Sequence, residues 1–370
     1  MLQQNIHKKD AWFIGANTLL NLSQKRKWND YLKLLPKNQQ DVYFTPEYYS
    51  LYEQNGDGEA NCFIFEKEGN IVLYPFLKNS INRLGYSLDD QYYDIQGAYG
   101  YNGMLSSSDD TSFLNDFWHT FDQFCKDNNI VAEFTRFHPI LKNHSLGDWH
   151  FDIFFDRETV SLDLTQDYDS IWKNEYSSKN RNMIRKAQKD GSRIEIISNP
   201  DSSQIDTFIE IYNHSMKLVK ADEYYYFKKD FFFNTFSLLK TNVFLFNVFN
   251  SNDDVVCSSI FFHYGKFFHY HLSGRSELAN NTVNNYLLDE AVKYAKEIGA
   301  EIFHFGGGIS SDADDRLLKF KTNFSKTRLP FYIGKKIHNQ YVYDVIVRQW
   351  EENNSEMRLK YKSYLLKYRY

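Results

Sequence analysis

Two stretches of the chain share one alternation of hydrophobic and polar positions. In the first, a strand-like run Gln91 to Gln96 and a loop spotted with Gly97, Gly100 and Gly103 lead to a segment from about Thr111 to Asp127. There Phe113, Leu114, Phe117, Phe121 and Phe124 recur every three to four residues, the stripe of a helix that buries one face. A strand Ile130 to Phe137 follows. In the second stretch, a strand Phe267 to Leu272 and a polar loop Ser273 to Asn281 precede a helix from about Thr282 to Ile298. Its stripe is Leu287, Leu288, Ala291, Val292, Ala295 and Ile298, with Gly299 placed to end it in the left-handed conformation. A strand Glu301 to Phe305 comes next. The strands after the two helices begin alike, Ala132-Glu133-Phe134 and Ala300-Glu301-Ile302, about 168 residues apart. This order predicts a duplicated α/β unit.

The alternating run Thr159 to Leu164 reopens the pattern and places the boundary there, giving units 1–157 and 158–340. The second unit reads in order as a helix Tyr168 to Asp190 stopped by Gly191, a strand Ile194 to Ile197, and helices Ser203 to Leu218 and Tyr226 to Leu239. Strands Val243 to Phe249, Val255 to His263 and Phe267 to Leu272 form a meander, the last two joined by a hairpin at Gly265. After the long helix and its strand come a helix Asp312 to Asn323 and a strand Leu329 to Lys335. The tail 341–370 carries Val345, Ile346, Trp350 and Met357 with helical character, and is expected to pack on the first unit.

The length of 370 residues is enough for two cores, and 42% hydrophobic with 25% charged residues excludes a disordered chain. Lys and Arg number 43 against 48 Asp and Glu, so a net charge of -5 argues against general polyanion binding and DNA packaging. Cys62, Cys125 and Cys257 are far apart and odd in number, so neither a disulfide framework nor a CxxC metal or redox motif can be written. Met1 to Ala16 contains His7, Lys8, Lys9 and Asp10 without an apolar core, and no run approaches the ~18 apolar residues of a membrane span. The expectation is a cytoplasmic protein with no transmembrane segment. Aromatics reach 18%, which fits core packing, with sugar-stacking platforms as the alternative.

Four features could carry chemistry. Between Lys173 and Arg193 seven basic residues face only Glu175 and Asp190. Arg181 and Arg185, four apart, share a helical face that would grip a phosphate or else merely face water. Leu317, Phe320, Lys321 and Phe324 share another stripe, which puts the Lys321 ammonium beside two rings. It either snorkels to water or opens into a cleft where its charge steadies an anion or oxyanion. Gly306, Gly307 and Gly308 follow a strand and permit close backbone approach, or make a plain tight turn. Their spacing fits neither ATP nor dinucleotide loops. His269 and His271 share a strand face, and His304 continues on the neighbouring strand; each is a core histidine or a proton acceptor. Asp312, Asp314 and Asp315 sit where a helix start favours acids, and no metal site is expected.

Together these residues resemble the FemAB-type transferases, tandem acetyltransferase-like (GNAT) domains that acylate amines, many of them in bacterial envelope precursors. The resemblance lies in Phe44-Thr45-Pro46-Glu47-Tyr48-Tyr49, Tyr99-Gly100-Tyr101-Asn102-Gly103, Lys179 to Ala187, Ile211 to Met216, Tyr270 to Gly274, Phe303 to Gly308 and Leu318 to Phe324, and covers nearly the whole chain. It implies an α/β (α+β) fold of two tandem GNAT-like domains, each a mixed, mostly antiparallel twisted sheet flanked by helices. It also implies an oxyanion-stabilising Lys321 positioned by Phe320, and acceptor phosphates held around Lys179, Arg181 and Arg185, with His271 as a candidate proton acceptor. The implied reaction moves an aminoacyl or acyl group to an amine of a peptidoglycan or surface-polysaccharide precursor, an acceptor linked to a nucleotide or a lipid. The loop Arg275 to Asn281 lacks the glycines of the usual acetyl-CoA turn, so acyl-CoA and charged tRNA both stand as co-substrates, with no tightly bound cofactor. The competing reading is a non-catalytic, aromatic-rich carbohydrate-binding protein on the same scaffold.

Overall fold

The computed structural model describes residues 15–312 and 314–370. The charged cluster His7 to Asp10 and Ala313 therefore lie outside the described residues. The first half contains β1 (Ala16–Asn21), α1 (Lys25–Leu34), α2 (Pro46–Asn55), β2 (Glu59–Lys67), β3 (Asn70–Ser80), β4 (Tyr93–Gln96), β5 (Leu105–Ser106), α3 (Thr111–Asp127) and β6 (Ile130–Arg136). Then come β7 (Asp152–Asp163), α4 (Tyr168–Ser170), α5 (Ser178–Lys189), β8 (Arg193–Ile197), α6 (Ser202–Leu218), α7 (Lys229–Leu239), β9 (Val243–Phe249), β10 (Val255–Tyr264) and β11 (Phe267–Arg275). The chain closes with α8 (Val283–Glu297), β12 (Ile302–Gly307), α9 (Arg316–Lys321), β13 (Thr327–Ile337) and α10 (Gln340–Asn353).

All these strands join one sheet in the order β1-β2-β3-β4-β6-β13-β7-β12-β11-β10-β9-β8, with β5 on β3. Neighbours are antiparallel except at two places, β4 beside β6 and β11 beside β12. Each parallel pair is bridged by a long helix, α3 or α8, because parallel neighbours need a crossover. These are the two stretches that the hydrophobic periodicity singles out. The strand β13 lies between β6 and β7 and so hydrogen-bonds both halves.

One core cluster also spans the halves. Tyr48 and Tyr52 of α2 pack with Phe231 and Phe232 of α7 and with Ile260 and Phe262 of β10. On the opposite face α5, α8 and α9 cover β7 and β9 to β12, while α3 covers β2, β3 and β6. The α10 segment and the chain end cover Ile81, Tyr92, Val131 and Ala132. There Arg369 and the Tyr368 hydroxyl hold the buried Asp94 carboxylate. Most of the aromatic excess is spent in these cores.

Three expected elements differ. The helix expected over Tyr168 to Asp190 is interrupted: after α4 the chain makes a π turn Ile171–Glu175, and Ser177 caps a fresh helix at Ser178. Ser and Asn in this interval compete with helical hydrogen bonds, which is why a charge-and-periodicity reading runs through it. The helix expected from Asp312 begins only at Arg316, since the Asp315 side chain accepts from the Leu318 N–H and is the N-cap. Finally, the strand expected from Thr159 begins at Asp152. Its first residues are partly exposed and show no alternation.

Candidate active site

Strands β11 and β12 pair only from Phe267 to His269 and from Ile302 to His304. Beyond these residues they part, and the opening between them is where the candidate groups collect. The strand β12 bulges between His304 and Gly306, and Gly306 adopts φ +76, a conformation that penalises any side chain. A Cβ at Gly306 would lie 3.3 Å from the Lys321 Nζ and 3.7 Å from the Tyr101 hydroxyl. At Gly308 it would strike the Asp315 carboxylate at 2.6 Å. The glycine run is therefore a requirement of close approach.

Lys321 reaches this turn because Leu318 and Phe324, three residues either side, are buried in the core beneath α9. The buried stripe is thus rotated by one residue from the expected one, with Leu318 replacing Leu317. Lys321 is itself only 6% exposed. Its Nζ donates to the Gly307 carbonyl at 2.7 Å and stands 5.7 Å from the centre of the Tyr270 ring. Burial pulls its pKa from 10.5 down to about 7, with Asp315 opposing and Arg157 adding to the fall. A lysine ammonium with one donated bond in a dry recess retains N–H groups for a second, incoming acceptor.

The turn is fixed from both sides. Arg157 donates to the Gly308 and Ile309 carbonyls, and Asp315 accepts from the Ile309 and Ser310 amides. Arg157 carries no signal that sequence reading could isolate, whereas Asp315 is legible as an acid at a helix start. Phe320 is half-buried, stacks edge-on with Phe324 at 5.6 Å, and lines a neighbouring cavity of about 570 Å³.

That cavity lies at the N-terminus of α8, against the glycine-free loop. Lys179, Arg275, Arg316 and Lys319 line it together with Asn280, Asn281, Asn284 and Asn285, and among the described residues no carboxylate does. Thr282 at the N-cap position makes no side-chain capping bond to the helix. The first turn of α8 thus has no side-chain cap and four cations line the cavity, Lys319 also pairing with Asp314 at 2.6 Å, an arrangement suited to an anion. Of the expected phosphate-binding group, only Lys179 faces it. Arg181 donates instead to the carbonyls of Trp172 and Tyr176, and Arg185 lies over the Trp172 ring at 5.3 Å. Two residues along a helix turn the side chain by roughly 200°, so Lys179 and Arg181 face opposite sides. The residues that complete the cavity come from two further segments, 275–285 and 316–323; of these the sequence marks Phe320 and the loop Arg275 to Asn281, but not Arg316 or Lys319 as cavity cations. A second cavity, about 600 Å³, lies at the other ends of β11 and β12, by Lys266 and Glu301, and holds none of the expected site residues.

Behind the glycine turn is a buried polar group that the sequence did not reveal. Asp41 accepts from the Nε2 of His138 at 3.0 Å and from that of His269 at 2.8 Å. All three are buried. Leu141 donates its amide to the Nδ1 of His138, so the proton of that ring sits on Nε2. Burial pushes the Asp41 carboxyl up, but the charge of His269 and the two hydrogen bonds outweigh it and hold the group below the usual carboxylate range. His304 is buried nearby, 5.0 Å from the Tyr101 ring centre, and burial with His269 and His138 holds it well below the ordinary histidine range. His271 packs on Phe262 at 4.3 Å and on Tyr99 at 5.9 Å. Burial and His269 lower it to about 3, so it stays neutral at physiological pH.

A family model described as acetyltransferase (GNAT) domain matches residues 176–316, which span α5 to β12 and reach the Asp315 N-cap. The structure of FemX superposes with a TM-score of 0.66 at 14% identity, covering 90% of this chain and 99% of that one. The chain has a FemAB-type GNAT fold. The same fold relates it to L-PGS from Bacillus licheniformis, with a TM-score of 0.55, 12% identity, and 87% and 94% of the two chains covered. It also relates it to the C-terminal domain of a putative lysylphosphatidylglycerol synthetase from Agrobacterium fabrum, with a TM-score of 0.54, 13% identity, and 89% and 95% covered. No curated protein matches the sequence. In this GNAT fold Lys321 stands on the β12 side of the parting, while Arg275 at the end of β11 and Phe320 line the cationic cavity.

Proposed function

We propose that the protein is an N-acyltransferase, and that it moves an aminoacyl or acyl group from aminoacyl-tRNA or acyl-CoA to an amine of a cell-envelope precursor. The observation that carries this reading is the Lys321 ammonium, buried on the Gly306–Gly307 turn where β11 and β12 part. As an amine attacks an ester or thioester carbonyl, negative charge grows on oxygen. A positioned cation in a dry recess stabilises that charge far more than water would. In place of the acceptor phosphates expected around Lys179, Arg181 and Arg185, donor phosphates would lie in the cavity of Lys179, Arg275, Arg316 and Lys319, with Phe320 forming the wall between cavity and Lys321. Residues 158–340 are the catalytic unit, 1–157 the partner unit, and the tail 341–370 belongs with the latter. The GNAT match supports acyl transfer, and the likeness to FemX and to the lysylphosphatidylglycerol synthetases favours an aminoacyl donor and an envelope acceptor.

Thermal-shift binding against acetyl-CoA, longer acyl-CoAs, an aminoacyl minihelix and nucleotide-linked amino sugars tests the proposal, because a ligand specific for the folded state raises the melting temperature. A CoA response marks an acyl-CoA enzyme. A response to the minihelix without CoA marks an aminoacyltransferase. Silence to all donors, with free glycans binding instead, overturns the proposal in favour of a non-catalytic carbohydrate-binding protein.

A further inference from the structure

Apart from the Lys321 recess, three segments bring metal-ligating side chains together behind the first half of the sheet. Asp122 comes from the middle of α3, His150 from the turn before β7, and His338 from the residue after β13. The Asp122 Oδ1 lies 3.6 Å from the Nδ1 of His150 and 3.5 Å from the Nδ1 of His338. Ligand atoms about 2.1 Å from a tetrahedral zinc ion stand about 3.4 Å apart, so these separations suit one ion.

The opposite ring nitrogens are also provided for. The Nε2 of His338 and the Nε2 of His150 both face the Glu133 Oε2, at 2.9 and 3.5 Å. Glu133 is 1% exposed and its other oxygen accepts from the Tyr74 hydroxyl. A carboxylate that receives the outer N–H of a histidine leaves the inner nitrogen unprotonated and aimed at a metal. With both imidazoles neutral, three lone-pair-bearing atoms then face one another within 4.8 Å, beside the Cys125 thiol and the Lys336 ammonium. A single proton on one imidazole leaves the other unmatched, and both the Asp122 Oδ1 and the His150 Nδ1 are buried without a hydrogen-bond partner among the described residues. A divalent cation satisfies all three at once.

The Asp41, His138 and His269 group is a useful contrast. Its ring nitrogens face a carboxylate too, but Leu141 donates into the Nδ1 of His138, which forces the Nε2 proton and blocks metal ligation there. Among the described residues no such donor occupies the Nδ1 of His150. The Asp122 side chain is 37% exposed, which gives an ion a way in and a water molecule the fourth position.

We propose that Asp122, His150 and His338 bind one Zn²⁺, with Glu133 orienting both imidazoles, and that the ion ties α3 to the two segments flanking β7 and β13. The site shares no residue with the Lys321 recess, so it is independent of the reading of the active site.

The test uses the full chain, stripped with a chelator and returned to equimolar ZnCl2 or CoCl2. The expected result is one zinc per chain retained through gel filtration, a Co²⁺ form with the visible bands of tetrahedral coordination, and a melting temperature several degrees above the stripped protein. Asp122→Asn, at the exposed edge, should fold and lose at least tenfold in zinc affinity, whereas Asp41→Asn should keep it. Absence of saturable zinc binding by the folded wild type overturns the proposal, as does unchanged affinity in Asp122→Asn.

Discussion

Replacing Lys321 by Met removes the charge while keeping the length and apolar stem of the side chain. Lowering the lysine from 10.5 to about 7 makes its charged form roughly 5 kcal/mol costlier in the folded chain than in the unfolded one. The Gly307 carbonyl, which accepts from Nζ at 2.7 Å, loses its partner in the variant and offsets about 1 kcal/mol. Lys321→Met should therefore be more stable than wild type by about 3 to 4 kcal/mol below pH 7. In that range both folded and unfolded wild-type chains carry the charge, and the penalty is complete. Between about pH 7 and 10.5 the folded lysine gives up its proton while the unfolded one keeps it. Wild-type stability thus rises with pH, and above 10.5 the advantage of the variant vanishes. Transfer should move the other way, because loss of one oxyanion donor costs about 10²- to 10³-fold in kcat. Urea unfolding across pH 6 to 11, paired with transfer of the labelled donor that raises the melting temperature, measures both. A variant less stable than wild type at pH 6 refutes the burial argument, and a variant of undiminished rate refutes the catalytic one.

Gly306→Ala should lose about 1 to 2 kcal/mol for a side chain at positive φ and at least tenfold in rate, since the new Cβ presses on the Lys321 Nζ; urea melts and the transfer assay check both. Asp41→Asn should cost about 3 kcal/mol by orphaning two buried imidazoles. Asp41 titrates below its unfolded value, so its contribution holds above about pH 4 and is lost as pH falls; acid unfolding should show that slope in wild type and not in the variant. Reversing one cavity charge, Lys179→Glu or Arg316→Glu, should weaken donor binding about tenfold with a reduced salt dependence, while Arg185→Ala should leave it within about twofold. Titration at two ionic strengths distinguishes these outcomes.

The strongest periodic elements were legible from sequence. The helix over Thr111 to Asp127 occupies those residues, and the one expected from Thr282 to Ile298 is Val283–Glu297. Each carries one wide apolar stripe against a sheet, so the local pattern and the packed structure agree. The hairpin β2–β3 gives no such signal: Ala60 to Phe65 and Ile71 to Leu77 are buried without interruption, because both faces of the sheet are covered and alternation disappears.

Among the candidate residues, Lys321 and the three glycines stood out because a strand, a glycine run and a short amphipathic helix follow each other closely, and their meeting is nearly a local event. Arg181 and Arg185 share a helical face by sequence alone, but which way that face turns depends on Ile184 and Ala187 entering the core of the second half. Asp41, His138 and His269 are separated by up to 228 residues, and Asp122, His150 and His338 are almost as scattered. A sequence fixes local periodicity and composition, which act within a few residues. Only the closing of one sheet through β13 brings carboxylates and imidazoles from distant segments to within 4 Å, where burial forces them to pair.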